Sequence, residues 1–150
     1  MVIPLARRVS NFYRYATELE TVIVNDNRQI GGSTTYIFNE YFANSPKLKS
    51  VSFPFVSTVN NSYQDRPFNG DSSLTSVTMG SIGNPITTFS TSPTNAYKFF
   101  YGAPSGLTIT VFVDAVDIAS ISTDITSMAP WGASNPTIIY KNSTTGEVLE

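Results

Sequence analysis

Two close pairs of carboxylic acids are the residues of this sequence that could do general acid–base chemistry. They are Glu18 with Glu20, and Asp114 with Asp117. A glycosidase mechanism needs two carboxyl groups facing each other across a cleft, about 5 to 10 Å apart. Neighbours on one face of a strand point the same way and do not form such a cleft by themselves. Surface acids are therefore the favoured interpretation. Asp114 follows an apolar strand, and it is the residue to substitute first in a test for activity.

Two residue types that support much of enzyme chemistry are missing, because the sequence contains no His and no Cys. Without Cys there is no disulfide, thiolate nucleophile or thiolate metal site. Without His the commonest general base, the commonest zinc ligand and any Ser-His-Asp arrangement are excluded. We therefore predict that the protein is not an enzyme and has neither catalytic residues nor a cofactor.

Only oxygen ligands remain for a metal ion, which restricts the choice to calcium or magnesium. The candidate loops are Asn25-Asp26-Asn27 and the segment from Asp65 to Asp71. Neither has the regular spacing of acids and glycine that marks an EF-hand loop. The favoured prediction is that no metal is bound. The glycines flank turns and do not form a Walker-type motif, so nucleotide binding is not supported.

Aromatic and arginine side chains supply the candidate interface. Tyr97, Phe99 and Tyr101 would share one face of a strand, and such a strand is packed in the core, covered by a partner, or used as a stacking platform for a ligand. Trp131 lies in a turn, where it is either a plug over the end of the domain or an interface anchor. The candidate interface residues are Arg7, Arg8, Arg14, Tyr97, Phe99, Tyr101 and Trp131.

The formal net charge is only -2, which argues against nucleic acid as a general partner. Three arginines precede the first acid, Glu18, and the chain from Asp114 onward is acidic. Charge-guided assembly is one interpretation, and solvated surface is the other. No stretch approaches the roughly 20 apolar residues of a membrane span, and the first nine residues lack the apolar run of a secretory signal. We expect a soluble, cytoplasmically made protein without membrane contact.

The elements that must position these residues are short strands. Residues 107–113 alternate apolar and mostly polar side chains, which predicts a central strand with one buried face. Pro54 predicts an edge or a bend within the strand over 48–59. The remaining strands are expected over 12–24, for which a helix over 11–20 competes, and over 33–42, 74–79, 86–89, 96–101 and a hairpin of 137–140 with 147–149.

About eight short strands separated by Gly, Pro, Asn and Ser predict an all-β fold, specifically an antiparallel β-sandwich that is jelly-roll-like. The 150 residues fit one domain. Residues 1–11 are expected to form an irregular N-terminal arm that orders only in an assembly, and residues 12–150 to form a single β-sandwich domain. No fixed-period repeat is apparent, which argues against a solenoid or a propeller.

A chain free of His and Cys, low in charge, dense in Ser, Thr, Asn and aromatics, and with Arg7 and Arg8 in its arm resembles the virion structural proteins of tailed phages. Capsid cement or decoration proteins are the nearest kind. The resemblance implies a non-enzymatic, oligomeric or lattice-bound protein of the virion, assembled in the host cytoplasm, that binds the major capsid protein or other virion subunits and stabilises the lattice.

Three alternatives stay open. The first is a carbohydrate-binding or adhesin-like module with Tyr63, Tyr97, Tyr101 or Trp131 on an exposed flat patch. The second is a collar or tail component of the virion. The third is a carboxylate-dependent hydrolase, which would require two acids that converge in a pocket.

Overall fold

The structure, a computed structural model, describes residues 2–3, 13–25, 41–60, 66–90, 100–116, 118–119 and 134–149. Within these ranges no helix has the length and apolar character needed to cross a bilayer. The strands are β1 (Val2–Ile3), β2 (Thr21–Val24), β3 (Ser50–Phe53), β4 (Thr58–Asn60), β5 (Ser76–Met79), β6 (Thr88–Ser90), β7 (Thr108–Val113) and β8 (Thr137–Asn142).

Neighbouring strands run parallel throughout both sheets. Six strands form one sheet in the order β1-β2-β3-β5-β7-β8, and β4 pairs with β6 in a second sheet. The expected antiparallel, jelly-roll-like β-sandwich is therefore wrong. An antiparallel sheet reverses the chain between neighbours, whereas here the chain makes a long connection and pairs again in the same direction.

Successive strands of the large sheet begin at equivalent residues. Thr21 pairs with Ser50, Ser50 with Ser76, Ser76 with Thr108, and Thr108 with Thr137, so the chain returns to the sheet every 26 to 32 residues. Each return adds one parallel strand to the stack, which is the architecture of a solenoid. The expectation against a solenoid was wrong because the interval between strands varies and no fixed period results.

Four segments of twelve residues occupy equivalent places in this stack, and we call them repeat units 1 to 4. They are residues 13–24, 42–53, 68–79 and 100–111. The tenth and twelfth residues of each unit point inward from the sheet and are buried. They are Val22, Val24, Val51, Phe53, Val77, Met79, Ile109 and Val111.

The first residue of every unit is aromatic, and these rings form a second ladder that we call the aromatic stack. Ring centroids are 6.2 Å apart for Tyr13 and Phe42, 5.9 Å for Phe42 and Phe68, and 5.7 Å for Phe68 and Phe100, with interplanar angles of 8 to 13°. The three phenylalanines are fully buried. They belong to the same hydrophobic cluster as the inward residues of the sheet, so the core includes both ladders.

Several predicted strands are confirmed only in part. In β7 the inward residues are buried in alternation, as expected. Pro54 does interrupt its predicted strand, because β3 ends at Phe53 and β4 begins at Thr58, but β3 is an interior strand and not an edge. Residues 13–20 form turns and are neither strand nor helix.

The structure tests the predicted C-terminal hairpin and part of the predicted N-terminal arm. The predicted hairpin is present, since Asn142 N–H donates to the Glu147 carbonyl at 2.8 Å and Leu149 N–H donates to the Tyr140 carbonyl at 2.9 Å. In the predicted arm, β1 pairs with β2 of the same chain. This pairing goes against an arm that orders only in an assembly. The residues 4–11 lie outside the described part.

Candidate functional site

A ladder of left-handed turns runs along one side of the solenoid. We call this surface the turn edge, and it consists of the second and third residues of the four units: Arg14, Tyr15, Ala43, Asn44, Asn69, Gly70, Tyr101 and Gly102. Backbone hydrogen bonds join neighbouring units here: Tyr15 N–H donates to the Ala43 carbonyl at 3.0 Å, Asn44 N–H to that of Asn69 at 2.8 Å, and Gly70 N–H to that of Gly102 at 3.1 Å. These bonds hold the turns in register.

The third residue of each of the four units has a positive φ angle. The values are 64° at Tyr15, 60° at Asn44, 79° at Gly70 and 78° at Gly102. Glycine adopts this region without a steric penalty, and asparagine tolerates it better than most residues. Tyr15 is the exception in the ladder. For an ordinary residue the left-handed region costs roughly 1 to 2 kcal/mol.

The two glycines of the turn edge also leave room for side chains of the preceding unit. A Cβ atom at Gly70 would lie 2.6 Å from Oδ1 of Asn44, and one at Gly102 would collide with Oδ1 of Asn69. In the middle of the turn edge, the amide side chains of Asn44 and Asn69 therefore lie against Gly70 and Gly102 of the next unit.

A tyrosine next to an arginine marks each end of the turn edge. Tyr15 is 61% exposed and Tyr101 is 49% exposed. The Arg14 guanidinium lies 4.9 Å from the centroid of the Tyr15 ring, and the Arg66 guanidinium lies 4.5 Å from that of Tyr101. The two ends are three inter-strand spacings apart, which is about 14 Å at the usual distance between neighbouring strands. Tyrosine and arginine, with tryptophan, are the residue types enriched among interface hot spots.

The predicted interface residues are only partly within the described chain. Arg14 and Tyr101 both lie on the turn edge, in units 1 and 4. The other five, Arg7, Arg8, Tyr97, Phe99 and Trp131, lie outside the described residues. Sequence reasoning missed Tyr15, although a comparison of the four units would have revealed it, because the equivalent residues are Asn44, Gly70 and Gly102.

A second site lies where β7 and β8 end side by side. Asp114 follows β7, as the sequence predicts, and Ser143 follows β8. The Ser143 hydroxyl donates a hydrogen bond to Oδ1 of Asp114. Ser143 is itself fixed, since its N–H donates to the Val113 carbonyl at 2.9 Å and its carbonyl accepts from Gly83 N–H at 2.8 Å. We call the surface around this pair the Asp114 groove.

The Asp114 groove has a volume of about 380 Å³. Its lining residues are Ile82, Gly83, Pro85, Asp114, Ser143 and Thr144. Asp114 is the single acid in this lining, whereas hydrolysis by paired carboxylates requires two. Asp117, its predicted partner, lies outside the described residues.

The other predicted acid pair is divided between two ion pairs. Lys47 Nζ lies 2.7 Å from Oε2 of Glu18, and Lys49 Nζ lies 3.0 Å from Oε2 of Glu20. The hydrogen bond and charge of Lys49 lower the pKa of Glu20. All four side chains are exposed, and such pairs contribute about 0 to 1 kcal/mol. Glu18 and Glu20 are thus surface residues that link units 1 and 2.

The candidate metal loops do not form a metal centre in the part of the chain that can be described. No group of three or more acidic side chains converges there. Asp26, Asn27 and Asp65 lie outside the described residues. Asp71 is buried, and its Oδ1 accepts a hydrogen bond from Ser45 N–H.

Comparison of the chain with protein-family models, with curated proteins and with solved structures finds no match in any of the three. The assignment of function therefore depends on the geometry of the turn edge and of the Asp114 groove.

Proposed function

We propose that this chain is a non-enzymatic protein that binds a protein partner through the turn edge. The observation on which the proposal depends is Tyr15, a large ring that is mostly exposed although its backbone has a φ of 64°. An exposed ring contributes little to the core, so the fold alone gives no reason to keep it at a position that favours Asn or Gly. Backbone strain of this kind is concentrated at functional positions.

The chemistry of the turn edge favours a protein over a carbohydrate. Arg14 stacks on one face of Tyr15 and Arg66 on one face of Tyr101, so each tyrosine is presented together with a guanidinium group. Tyrosine rings that are held by guanidinium groups present a rigid surface at little entropic cost, which suits a protein interface. Of the four residues predicted for a sugar platform, Tyr101 is the one within the described chain.

The virion role expected from the sequence is a narrower form of this proposal. Its premise of a sandwich or jelly roll is wrong, and β1 already pairs with its own chain. What supports a binding protein is the turn edge, which does not depend on that premise. That the partner is the major capsid protein or another virion subunit stays a prediction.

The native assembly state tests the proposal. The tagged chain is recovered from its natural source and sized by mass photometry, as wild type, as the double variant Tyr15→Asn with Tyr101→Asn, and as the control Phe55→Asn. Phe55 is 42% exposed and lies outside the turn edge. We expect wild type and control in a heavier complex and the double variant as the free chain. A double variant that stays fully in the complex would contradict the proposal, as would a wild type found only as the free chain.

A further inference from the structure

We propose that the Asp114 groove binds a lysine side chain of a partner protein. This inference is independent of the turn edge, because the groove is formed by residues that follow β7 and β8 and by the turn at residues 82–85. It assigns the groove a cationic ligand with an aliphatic stem.

Among the described residues, the Asp114 carboxyl group has no cationic partner. Glu18 and Glu20 each have a lysine partner, whereas among the described residues Asp114 accepts a hydrogen bond from Ser143 and meets no cation. Lys141 lies near the end of β8, but its ammonium group is 5.9 Å from the centroid of the Phe112 ring. A partly buried carboxylate is stabilised by pairing, and a cation supplied by a partner would provide that pairing.

The Asp114 carboxylate is held in place before a ligand arrives. The Ser143 hydroxyl occupies Oδ1, and Ser143 is fixed by backbone hydrogen bonds to Val113 and Gly83. Among the described residues no hydrogen bond to Oδ2 competes, so this oxygen can accept an N–H from the ligand. A guanidinium fork binds best to both oxygens of a carboxylate, whereas a compact ammonium needs only one of them. The arrangement therefore favours lysine over arginine.

An apolar wall lies beside the Asp114 carboxyl group. Ile82 is 61% exposed, and Pro85 also lines the groove. Lysine commonly lays its methylene stem along an apolar surface while its ammonium group reaches a polar partner. The exposed Ile82 and the carboxylate of Asp114 together match the two parts of that side chain.

Heteronuclear NMR titration tests this site with two small probes. N-acetyl-lysine methylamide has the stem and the ammonium group, and N-acetyl-norleucine methylamide has an apolar chain without the charge. We expect the lysine probe to shift the amide signals of residues 82–84, 114 and 143–145, and the norleucine probe to leave them nearly unchanged. Asp114→Asn should weaken binding of the lysine probe about tenfold, the usual effect of losing one charge-assisted hydrogen bond.

Glu147→Gln is the matched control, because Glu147 is an exposed acid in the hairpin that follows β8. It should bind the lysine probe as wild type does. Unchanged β7 and β8 signals in Asp114→Asn would show that this variant keeps its fold. Equal shifts with both probes would overturn the proposal. So would undiminished binding by Asp114→Asn, or a loss of binding in Glu147→Gln as large as in Asp114→Asn.

Discussion

The backbone N–H of Ser45 donates a hydrogen bond of 2.8 Å to Oδ1 of Asp71, whose carboxyl group is buried between repeat units 2 and 3. Ser45 is the fourth residue of its unit. In the other three units the fourth N–H bonds within its own turn: Ala16 to Tyr13, Asp71 to Phe68 and Ala103 to Phe100. Asp71 thus replaces a local hydrogen bond of unit 2 with a hydrogen bond between units. Its Oδ2 has no hydrogen-bond partner among the described residues.

This relationship predicts that the free energy of unfolding falls as the pH rises from about 4 to 7. Burial raises the pKa of Asp71 from 3.8 to about 7, although the Ser45 N–H opposes the shift. Between these values the unfolded chain has lost the Asp71 proton while the folded chain retains it, so raising the pH favours unfolding. Urea unfolding at pH 5 and pH 8 measures the effect.

Asp71→Asn is the control for this pH dependence, because the amide keeps an oxygen for Ser45 N–H and carries no charge. It should be more stable than wild type at pH 8, and the difference should shrink toward pH 4. Parallel stability profiles for the two proteins between pH 4 and pH 8 would contradict the assignment of this effect to Asp71.

The aromatic stack should be the most sensitive part of the core. Phe68 lies between Phe42 and Phe100 and is fully buried. We expect Phe68→Ala to lower the free energy of unfolding by about 3 to 5 kcal/mol, since it leaves a cavity and removes two ring contacts. Phe55→Ala, at an exposed ring, should change it by no more than about 0.5 kcal/mol. Urea unfolding compares the two, and similar small losses would argue against the stack as a structural element.

Gly102 is expected to be less replaceable than Gly106, although both have a φ of 78°. A Cβ atom at Gly106 meets nothing within 4 Å, whereas one at Gly102 collides with Oδ1 of Asn69. Gly106→Ala should cost only the left-handed conformation, about 1 to 2 kcal/mol. Gly102→Ala should cost more, by the energy of displacing Asn69. Thermal unfolding of the two variants gives the comparison, and equal losses would mean that Asn69 moves away freely.

Tyr15→Asn should separate stability from binding. Asn tolerates the positive φ and stands at the equivalent place in unit 2, as Asn44. The lost contact with Arg14 is a cation–π pair on an exposed tyrosine, worth about 0.5 to 1 kcal/mol, which is no larger than the strain relieved. We expect a melting temperature equal to or above that of wild type, together with loss of the native complex. A clear fall in melting temperature would show that Tyr15 serves the fold.

The sequence predicted which residues face inward more reliably than how the strands are arranged. The alternation from Leu107 to Val113 indicates one buried face, and Pro54 marks a break, because both depend on local geometry. The alternation of side chains along one strand does not depend on the direction of the neighbouring strand. The parallel arrangement could therefore not be predicted from it. The repeat units are hard to detect in the sequence because the intervals between them vary and because all four share little beyond an aromatic first residue and a Val or Ile at the tenth position. Leu at the seventh position is common to units 1 to 3.

The candidate sites were predictable to different degrees. Asp114 was predicted to follow its strand, but its partner Ser143 could not be named, because only the pairing of β7 with β8 brings the two together. Arg14 and Tyr101 were both predicted to belong to an interface. Their place on one surface required the register of units 1 to 4, and Tyr15 becomes unusual only when that register is known.

Site-specific photocrosslinking tests the turn edge most directly. The photoreactive residue p-benzoylphenylalanine is introduced in separate variants at position 15, at position 101 and at the exposed control position 55, and each is irradiated in the natural source. The turn edge as a protein-binding surface requires that positions 15 and 101 both crosslink to the same partner protein and that position 55 does not. Crosslinks from position 55 alone, or none from positions 15 and 101, would contradict the central claim.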